Sequence, residues 1–201
     1  MSLNLSKNVL QDVSKIVSQT REEAEICNEQ FVKLKNKTIK ILLDSGIEDL
    51  PMLERIGHVR ENILTEDEAK LLGFSTKNKH YHGLGIKNYL EIIESMDNPI
   101  SVYQYTNISK YNSKNFIIIT GIKIDGHRCL VPVEVNSRGQ YNQVEIKFNR
   151  IKSAYLETNG GYIEKLLKEG KIKEIFTQSS AEQTSLLRDI RWVWFPQNIS
   201  W

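Results

Sequence analysis

The sequence has few of the features that mark secreted, metal-binding or membrane-spanning proteins. Two of its 201 residues are cysteine, and Cys27 and Cys129 stand in different segments without a CxxC spacing. Neither a disulfide framework nor a zinc site is therefore expected. No apolar run approaches the roughly 20 residues that span a bilayer, and the first residues lack the apolar core of a signal peptide. We expect a cytoplasmic protein with no membrane contact, no bound metal and no cofactor.

Motifs of several enzyme classes are also missing. The sequence contains no P-loop, no GxGxxG, no HExxH and no signature of a Ser-His-Asp nucleophile. Each of these motifs positions a phosphate, a dinucleotide, a metal or a nucleophile in a defined backbone context. Their absence argues against an NTPase, a dehydrogenase and a hydrolase of those classes.

The charge is unevenly distributed along the chain. The formal net charge is +2, from 27 Lys and Arg against 25 Asp and Glu. Residues 1–75 hold 10 of the basic and 13 of the acidic residues, whereas the remainder holds 17 and 12. The C-terminal part is therefore the basic one, and a polyanionic partner suits it better.

Helical patterns dominate residues 1–74. An apolar stripe at three- and four-residue spacing predicts an amphipathic helix near the N-terminus. Thr20 and the glutamates after it are typical of a second helix start, and we expect that helix to reach Gly46. A short helix is predicted over residues 49–56, and residues 65–68 have the spacing of a capping box before another. We expect a helical N-terminal module that covers an apolar face or binds a partner.

Residues 75–178 have the pattern of an α+β domain. A helix is predicted from about residue 87 to residue 94, and Pro99 prevents its continuation. Asn115–Ile124 contains four bulky apolar residues in a row, which indicates a strand buried on both faces. Asp125-Gly126 is a hairpin turn signal. We expect a curled antiparallel sheet of four or five strands with packed helices.

Two further features refine the predicted meander. The strand over residues 127–136 contains Pro132, which cannot donate to a ladder and so indicates an edge or a bulge. Residues 137–140, Ser-Arg-Gly-Gln, are predicted to turn the chain into a strand over 141–148. A helix from residue 162 and a final strand over 171–177 complete the prediction.

The order of these segments resembles that of one protein family. A helix leads into Asp-Asn-Pro-Ile-Ser-Val-Tyr at 97–103, and the hydrophobic strand, a glycine turn and Val-Pro-Val-Glu-Val-Asn at 131–136 follow. Asn-Arg-Ile-Lys-Ser-Ala-Tyr at 149–155 precedes a helix and a closing strand. This order resembles the phage barnase/EndoU/colicin/RelE-like nuclease domains at the C-termini of MuF-type phage minor head proteins and of phage polyvalent proteins. The resemblance covers roughly residues 75–178.

The resemblance implies a phage-encoded, metal-independent ribonuclease with its active site on the open face of the sheet. The positions that match the family pattern are the histidine before the first helix, which is His80 or His82, together with Asn149, Ser153 and Tyr155. From the residues themselves, Asn149 can also be a turn cap and Tyr155 a core residue.

Metal-free RNA cleavage needs a base for the 2′-hydroxyl, an acid for the leaving oxygen and cations for the phosphate. His80 and His82 are two residues apart, so in an extended loop one of them points into a site. Ser153 and Tyr155 supply hydroxyls. The side chains expected to bind RNA are Lys123, Arg128, Asn149, Arg150 and Lys152.

The last segment, residues 179–201, is rich in tryptophan. Trp192, Trp194 and Phe195 fall within four positions and are flanked by arginines. They can stack on bases or form a hot spot for a protein partner. Alternatively, the segment folds back to seal the core.

Two functions follow as hypotheses. The first is a metal-independent ribonuclease or tRNase-like toxin, with RNA as substrate and an immunity protein as a partner. The second is a non-catalytic phage protein of the same fold that inhibits a host defence nucleoprotein, in the manner of an anti-CRISPR protein. A structural role in the virion is a third.

Overall fold

The computed structural model describes residues 7–77, 81–107, 114–158 and 161–179. Within these residues the chain forms seven helices and eight strands. In chain order they are α1 (Lys7–Val17), α2 (Arg21–Cys27), β1 (Phe31–Lys35), α3 (Lys40–Asp44), β2 (Met52–Arg55), α4 (Ile56–Ile63), α5 (Glu66–Leu71), α6 (Ile86–Ser95), β3 (Ser101–Tyr105), β4 (Asn115–Ile124), β5 (His127–Tyr141), β6 (Val144–Ile151), β7 (Tyr155–Leu156), α7 (Tyr162–Lys168) and β8 (Ile172–Thr177).

The described strands belong to one open, mixed sheet. The order is β1-β2-β6-β5-β4-β3-β8, and β7 pairs with β5. Neighbouring strands are antiparallel except β2 and β6, which run parallel through Met52 opposite Asn149 and Leu53 opposite Arg150. The α+β class is confirmed, but the sheet has eight strands rather than four or five and is not purely antiparallel. The closer likeness to the barnase/EndoU/colicin/RelE fold stays a prediction.

The helices predicted across residues 31–35 and 52–55 are wrong, because both segments are strands of this sheet. In β1, Val32 and Leu34 are buried while the residues between them are less so. That is the period of two that a strand requires. Short apolar runs fit either period, and here the pairing of β1 with β2 and of β2 with β6 decides in favour of strands. Residues before position 74 therefore contribute two strands to the sheet that the later residues build.

The turns are set by residues with positive φ. Asp125 and Gly126 have φ values of 50° and 79°, which confirms the predicted two-residue hairpin. The turn predicted at residues 137–140 is wrong, since β5 continues to Tyr141 and the chain reverses at Asn142 and Gln143, with φ values of 49° and 64°. Asparagine enters this region more easily than most residues because its amide bonds to nearby backbone.

The main core lies on one face of the sheet, beneath α1, α4 and α6. Valines 131, 133 and 135 of β5 alternate into it, and Phe116 and Ile118 of β4 join them. From the helix side, α6 contributes Tyr89, Leu90 and Ile93. These apolar side chains are almost fully buried and supply the principal stabilisation of the fold.

The opposite face is covered at one end by α7. Ile163 and Leu166 of α7 pack on Ile117, Ile119 and Leu130 of the sheet. Tyrosines rather than aliphatic residues border this second core, with Tyr103 inside it and Tyr105 and Tyr155 packed against it. The hydroxyl-rich end of this face is where the candidate site lies.

Helix starts in the N-terminal part follow the predicted chemistry. Thr20 accepts a hydrogen bond from Glu23 N while the Glu23 carboxylate accepts from Thr20 N, and Thr65 with Glu68 forms the same reciprocal box. Each box satisfies two amides that a helix leaves unpaired. None of the helices in the described ranges has the length and apolar character needed to cross a membrane.

Candidate functional site

A break beside Pro132 shapes the candidate site. Pro132 carries no N–H, and its carbonyl accepts a hydrogen bond from Lys152 N where the chain leaves β6. The chain pairs with β5 again at β7, where Tyr155 lies opposite Leu130. Residues 152–154 are thereby displaced from the ladder. Of the two alternatives predicted at Pro132, the edge is wrong, because β5 is a central strand, and the register shifts of β5 lie at other positions.

Three of the expected catalytic residues meet at this break, and we call them the corner site: His82, Ser153 and Tyr155. The loop before α6 reaches the corner because His82 N donates to the Glu61 carbonyl at the end of α4. The His82 and Tyr155 rings then lie 5.8 Å apart, measured between centroids, at an angle of 31°. The imidazole and the phenol are thus in ring contact, as aromatic pairs at this spacing are.

Ser153 connects the corner site to a buried polar network. Asn62 Nδ2 lies 3.4 Å from Ser153 Oγ and 3.3 Å from Glu54 Oε1, and Tyr89 donates its hydroxyl to Glu54 Oε2 at 2.7 Å. Burial raises the pKa of Glu54 from 4.5 to about 8, against the opposing effect of the two donors. Because a buried acid of this kind keeps its proton at neutral pH, the network carries no charge to the site.

Tyr155 is a neutral hydrogen-bond donor at physiological pH. Burial raises its pKa above the usual range, and the neighbouring Tyr162 adds to the effect. The Tyr162 hydroxyl also lies 3.5 Å from that of Tyr105. A phenol held neutral in this way can donate to a phosphate oxygen but cannot act as a base.

Arg128 is the cation nearest the corner site along β5. Because Leu130 lies opposite Tyr155, Arg128 projects from the same face two residues away. Its guanidinium is half exposed, with Glu157 and Glu164 oxygens each 4.0 Å away, beyond hydrogen-bonding distance. Lys123 lies directly opposite Arg128 on β4. Two like charges in that position repel each other, and the nearby carboxylates of Glu157 and Glu164 offset part of that repulsion.

The other three residues expected to bind RNA do not join Arg128 and Lys123. Arg150 is held by Glu134 at 2.6 Å on the same face. Lys152 is exposed, and its carbonyl lies 2.7 Å from His58 Nδ1. Asn149 is fully buried.

The buried Asn149 amide makes contacts within the fold. Its Oδ1 accepts from Asn136 N at 3.0 Å, and its Nδ2 donates to Thr38 Oγ1 at 2.8 Å. This amide ties β6 to the segment after β1.

Residues 74–179 match the model of one protein family, described as the phage MuF C-terminal domain. This match covers just over half of the 201 residues. The chain belongs to that family. No curated protein and no solved structure matches the chain.

The corner site lies within the matched residues of this MuF C-terminal domain protein, and the buried network behind it lies before them. His82, Ser153 and Tyr155 fall within the matched residues, whereas Asn62 and Glu54 precede them. Sequence reasoning missed these two. Glu54 is in a four-residue strand and Asn62 is on a helix, and no sequence pattern marks either of them as buried. Both are fully buried in the folded chain.

Several predicted residues of this MuF C-terminal domain protein lie outside the described residues. They are His80, Trp192, Trp194 and Phe195. Within the described ranges no group of three or more His, Cys, Asp or Glu side chains is arranged to hold a metal ion.

Proposed function

We propose that this phage-family protein is a metal-independent ribonuclease that cleaves RNA at the corner site. The observation that carries the proposal is the 5.8 Å spacing of the His82 and Tyr155 rings. It is supported by Arg128 on the same sheet face, with its guanidinium free of close hydrogen bonds in the described part of the chain.

In the proposed reaction His82 removes the proton from a ribose 2′-hydroxyl. The resulting O2′ attacks the adjacent phosphorus, the bond to O5′ breaks, the leaving O5′ takes up a proton from solvent water, and a 2′,3′-cyclic phosphate forms. Histidine suits this role because its ordinary pKa lies near neutral pH. Tyr155 donates a hydrogen bond to a non-bridging oxygen as negative charge grows there.

The cation pair on the hairpin would hold the phosphate chain. Arg128 can offer two parallel N–H groups to a phosphate, and Lys123 adds a point charge beside it. The carboxylates of Glu157 and Glu164, 4.0 Å from Arg128, are beyond hydrogen-bonding distance and leave its N–H groups able to donate to a phosphate.

Incubation of the full chain with total tRNA in EDTA tests the proposal. Wild type should produce discrete fragments, and His82→Ala should slow cleavage by roughly 100-fold or more, the usual contribution of a general base. Tyr155→Phe should slow it less. His127→Ala is the matched control, because His127 lies on the sheet face opposite Arg128 and its Nδ1 lies 3.2 Å from a backbone carbonyl. Absence of cleavage by folded wild type, or cleavage equal in His82→Ala, would reject the proposal.

A second candidate is a non-catalytic inhibitor of a host defence nucleoprotein, as an anti-CRISPR protein would be. The observation that favours it is the acid beside each cation: Glu134 beside Arg150, and Glu157 with Glu164 beside Arg128. A surface on which acids and bases alternate can match a protein partner that carries charges of both signs. Affinity capture from host lysate separates the two, because a ribonuclease toxin should enrich tRNA or an immunity protein and an inhibitor should enrich one defence complex.

A further inference from the structure

A second concave site lies away from the corner site, between α2, α4 and α5. The pocket has a volume of about 330 Å³ and is open to solvent on one side. Its walls are largely apolar and include Ala24, Leu64, Ala69 and Phe74. A pocket of this size and character is typical of small-molecule sites, which combine apolar walls with a few fixed polar groups. None of His82, Ser153 or Tyr155 lines it.

The polar group that distinguishes the pocket is the guanidinium of Arg60. The side chain is on α4 and the residue is only 5% exposed. Its Nη1 donates to Asn28 Oδ1 at 3.3 Å and its Nη2 to Gln19 Oε1 at 2.7 Å. Both acceptors are neutral amides, and no acid lies within ion-pair distance of Arg60 in the described residues.

Arg60 therefore has unused hydrogen-bonding capacity. A guanidinium carries five N–H donors, of which two are used, and its Nε is buried with no hydrogen-bond partner. Burial lowers the pKa of Arg60 from its ordinary value. Burying a cation beside neutral acceptors is unfavourable, and the nearby charge of Glu61, which acts to raise the pKa of Arg60, offsets part of that cost.

The surroundings of Arg60 fix its orientation. The Phe74 ring centroid lies 5.3 Å from its Cζ, which is a cation–π distance. Gly57, also in the pocket wall, allows Asn28 to approach α4, because a Cβ there would lie 2.1 Å from Asn28 Oδ1. The donors of Arg60 are thus held in place before any ligand binds, which lowers the entropic cost of binding.

The charges of the lining define the ligand further. Two arginines and two glutamates line the pocket, and Arg21 and Glu25 form an exposed ion pair with each other at 3.3 Å. The two glutamates of the lining repel a multiply charged ligand such as a polyphosphate, so the pocket suits at most a single negative charge, placed at Arg60. The apolar walls suit a hydrocarbon or aromatic body.

We propose that this pocket binds a small organic monoanion, a carboxylate on an apolar body, with Arg60 as the anchoring cation. The carboxylate accepts from the unused Arg60 donors, and the body of the ligand packs on Leu64, Ala69 and Phe74. The site would be a ligand-binding site independent of RNA cleavage.

Titration of the full chain with benzoate, followed by amide chemical shifts in solution NMR, tests this proposal. Benzoate should shift the amides of Gly57, Gly73 and Phe74 in the wild type. Arg60→Met should weaken that binding roughly 10- to 100-fold, the loss expected for hydrogen bonds to a charged group. Lys70→Met is the matched control, since Lys70 is an exposed cation on α5 paired with Glu66. Its affinity for benzoate should equal that of the wild type.

A second variant and a second ligand also test the proposal. If Arg60→Met does not fold, Phe74→Leu keeps the guanidinium and should weaken benzoate binding roughly 2- to 5-fold through loss of the ring contact. Inorganic phosphate is the second probe and should bind more weakly than benzoate. Failure of benzoate to shift these amides at millimolar concentration would overturn the proposal. Equal affinity in the arginine or phenylalanine variant, or a preference for phosphate, would overturn it as well.

Discussion

Replacing Glu54 by glutamine should stabilise the protein at neutral and alkaline pH. Glu54 is fully buried in β2 and accepts hydrogen bonds from Tyr89 and Asn62. Burial raises the pKa of Glu54 in the folded protein from 4.5 to about 8. Glutamine has the shape of the protonated acid and does not ionise. It can therefore form the hydrogen bonds to Tyr89 and Asn62 at any pH, whereas Glu54 has to hold a proton to stay neutral.

The sign and size of the effect follow from the two pKa values. Below pH 4.5 the carboxyl is protonated in both the folded and the unfolded chain, so folding does not change the number of protons bound at Glu54. Above that pH the unfolded chain releases the proton and the folded chain keeps it, so the free energy of unfolding falls as pH rises, until about pH 8. Each pH unit costs about 1.4 kcal/mol. The total is about 5 kcal/mol, of which about 3 kcal/mol is lost by pH 7.

Asn62 provides independent support for a protonated Glu54. With its Nδ2 directed at Glu54, the Asn62 Oδ1 is buried and has no hydrogen-bond partner. Turning that amide over lets Oδ1 accept from a protonated carboxyl, and which end is oxygen is an assignment from the hydrogen-bond network. A glutamine at position 54 would donate to the same oxygen through its amide nitrogen.

Urea unfolding of wild type and Glu54→Gln from about pH 5 to about pH 9 measures this difference. Wild type should lose stability across that range, while the variant should show a much flatter profile and exceed wild type by about 3 kcal/mol at pH 7. Glu145→Gln, the same change at an exposed position of β6, should keep the wild-type slope. A variant that is less stable than wild type at pH 7, or that has an unchanged slope, would refute a protonated Glu54.

Three further predictions concern packing. Gly57→Ala should destabilise the protein by about 1–3 kcal/mol in thermal unfolding, since the new Cβ would lie 2.1 Å from Asn28 Oδ1. Thr38→Val should cost about 2–4 kcal/mol in urea unfolding, because the hydroxyl at this position accepts two hydrogen bonds and donates another in the interior. Burial raises the pKa of Cys129 to about 11, so a thiol reagent at neutral pH should modify Cys27 first and Cys129 only after unfolding.

Controls for these experiments come from the same chain. Gly121→Ala adds a Cβ with no atom within 4 Å and should leave stability nearly unchanged, so an equal loss at both glycines would contradict the steric account. Thr38→Ser retains the hydroxyl and should recover most of the stability lost in the valine variant. Equal modification rates of both thiols in the native protein would contradict the buried position of Cys129.

Local signals in the sequence predicted part of the fold. The Asp125-Gly126 turn and the Thr65 capping box depend on neighbouring residues alone, and both are present. β1 and β2 were missed because four- and five-residue apolar segments fit a helix as readily as a strand. Only their partners, including β6 about a hundred residues later in the case of β2, determine their conformation. The wrong turn at 137–140 has a related cause, since Asn136 forms a bulge there without ending the strand.

The candidate site shows the same limit. The family resemblance implied His82, Ser153 and Tyr155 as site residues, and the fold brings them to one corner. Neither Glu54 nor Arg60 carried a signal, because a charged residue in an amphipathic segment is ordinarily at the surface. Their burial is a property of the packed chain.

The most direct test of the proposed reaction uses one RNA strand in two forms. A short RNA containing the site cleaved by wild type is compared with the same strand carrying a 2′-O-methyl group at that one nucleotide, in EDTA. The proposed role of His82 predicts cleavage of the first strand to a 2′,3′-cyclic phosphate and no cleavage of the second at that position. Equal cleavage of both strands, or a product without the cyclic phosphate, would contradict it.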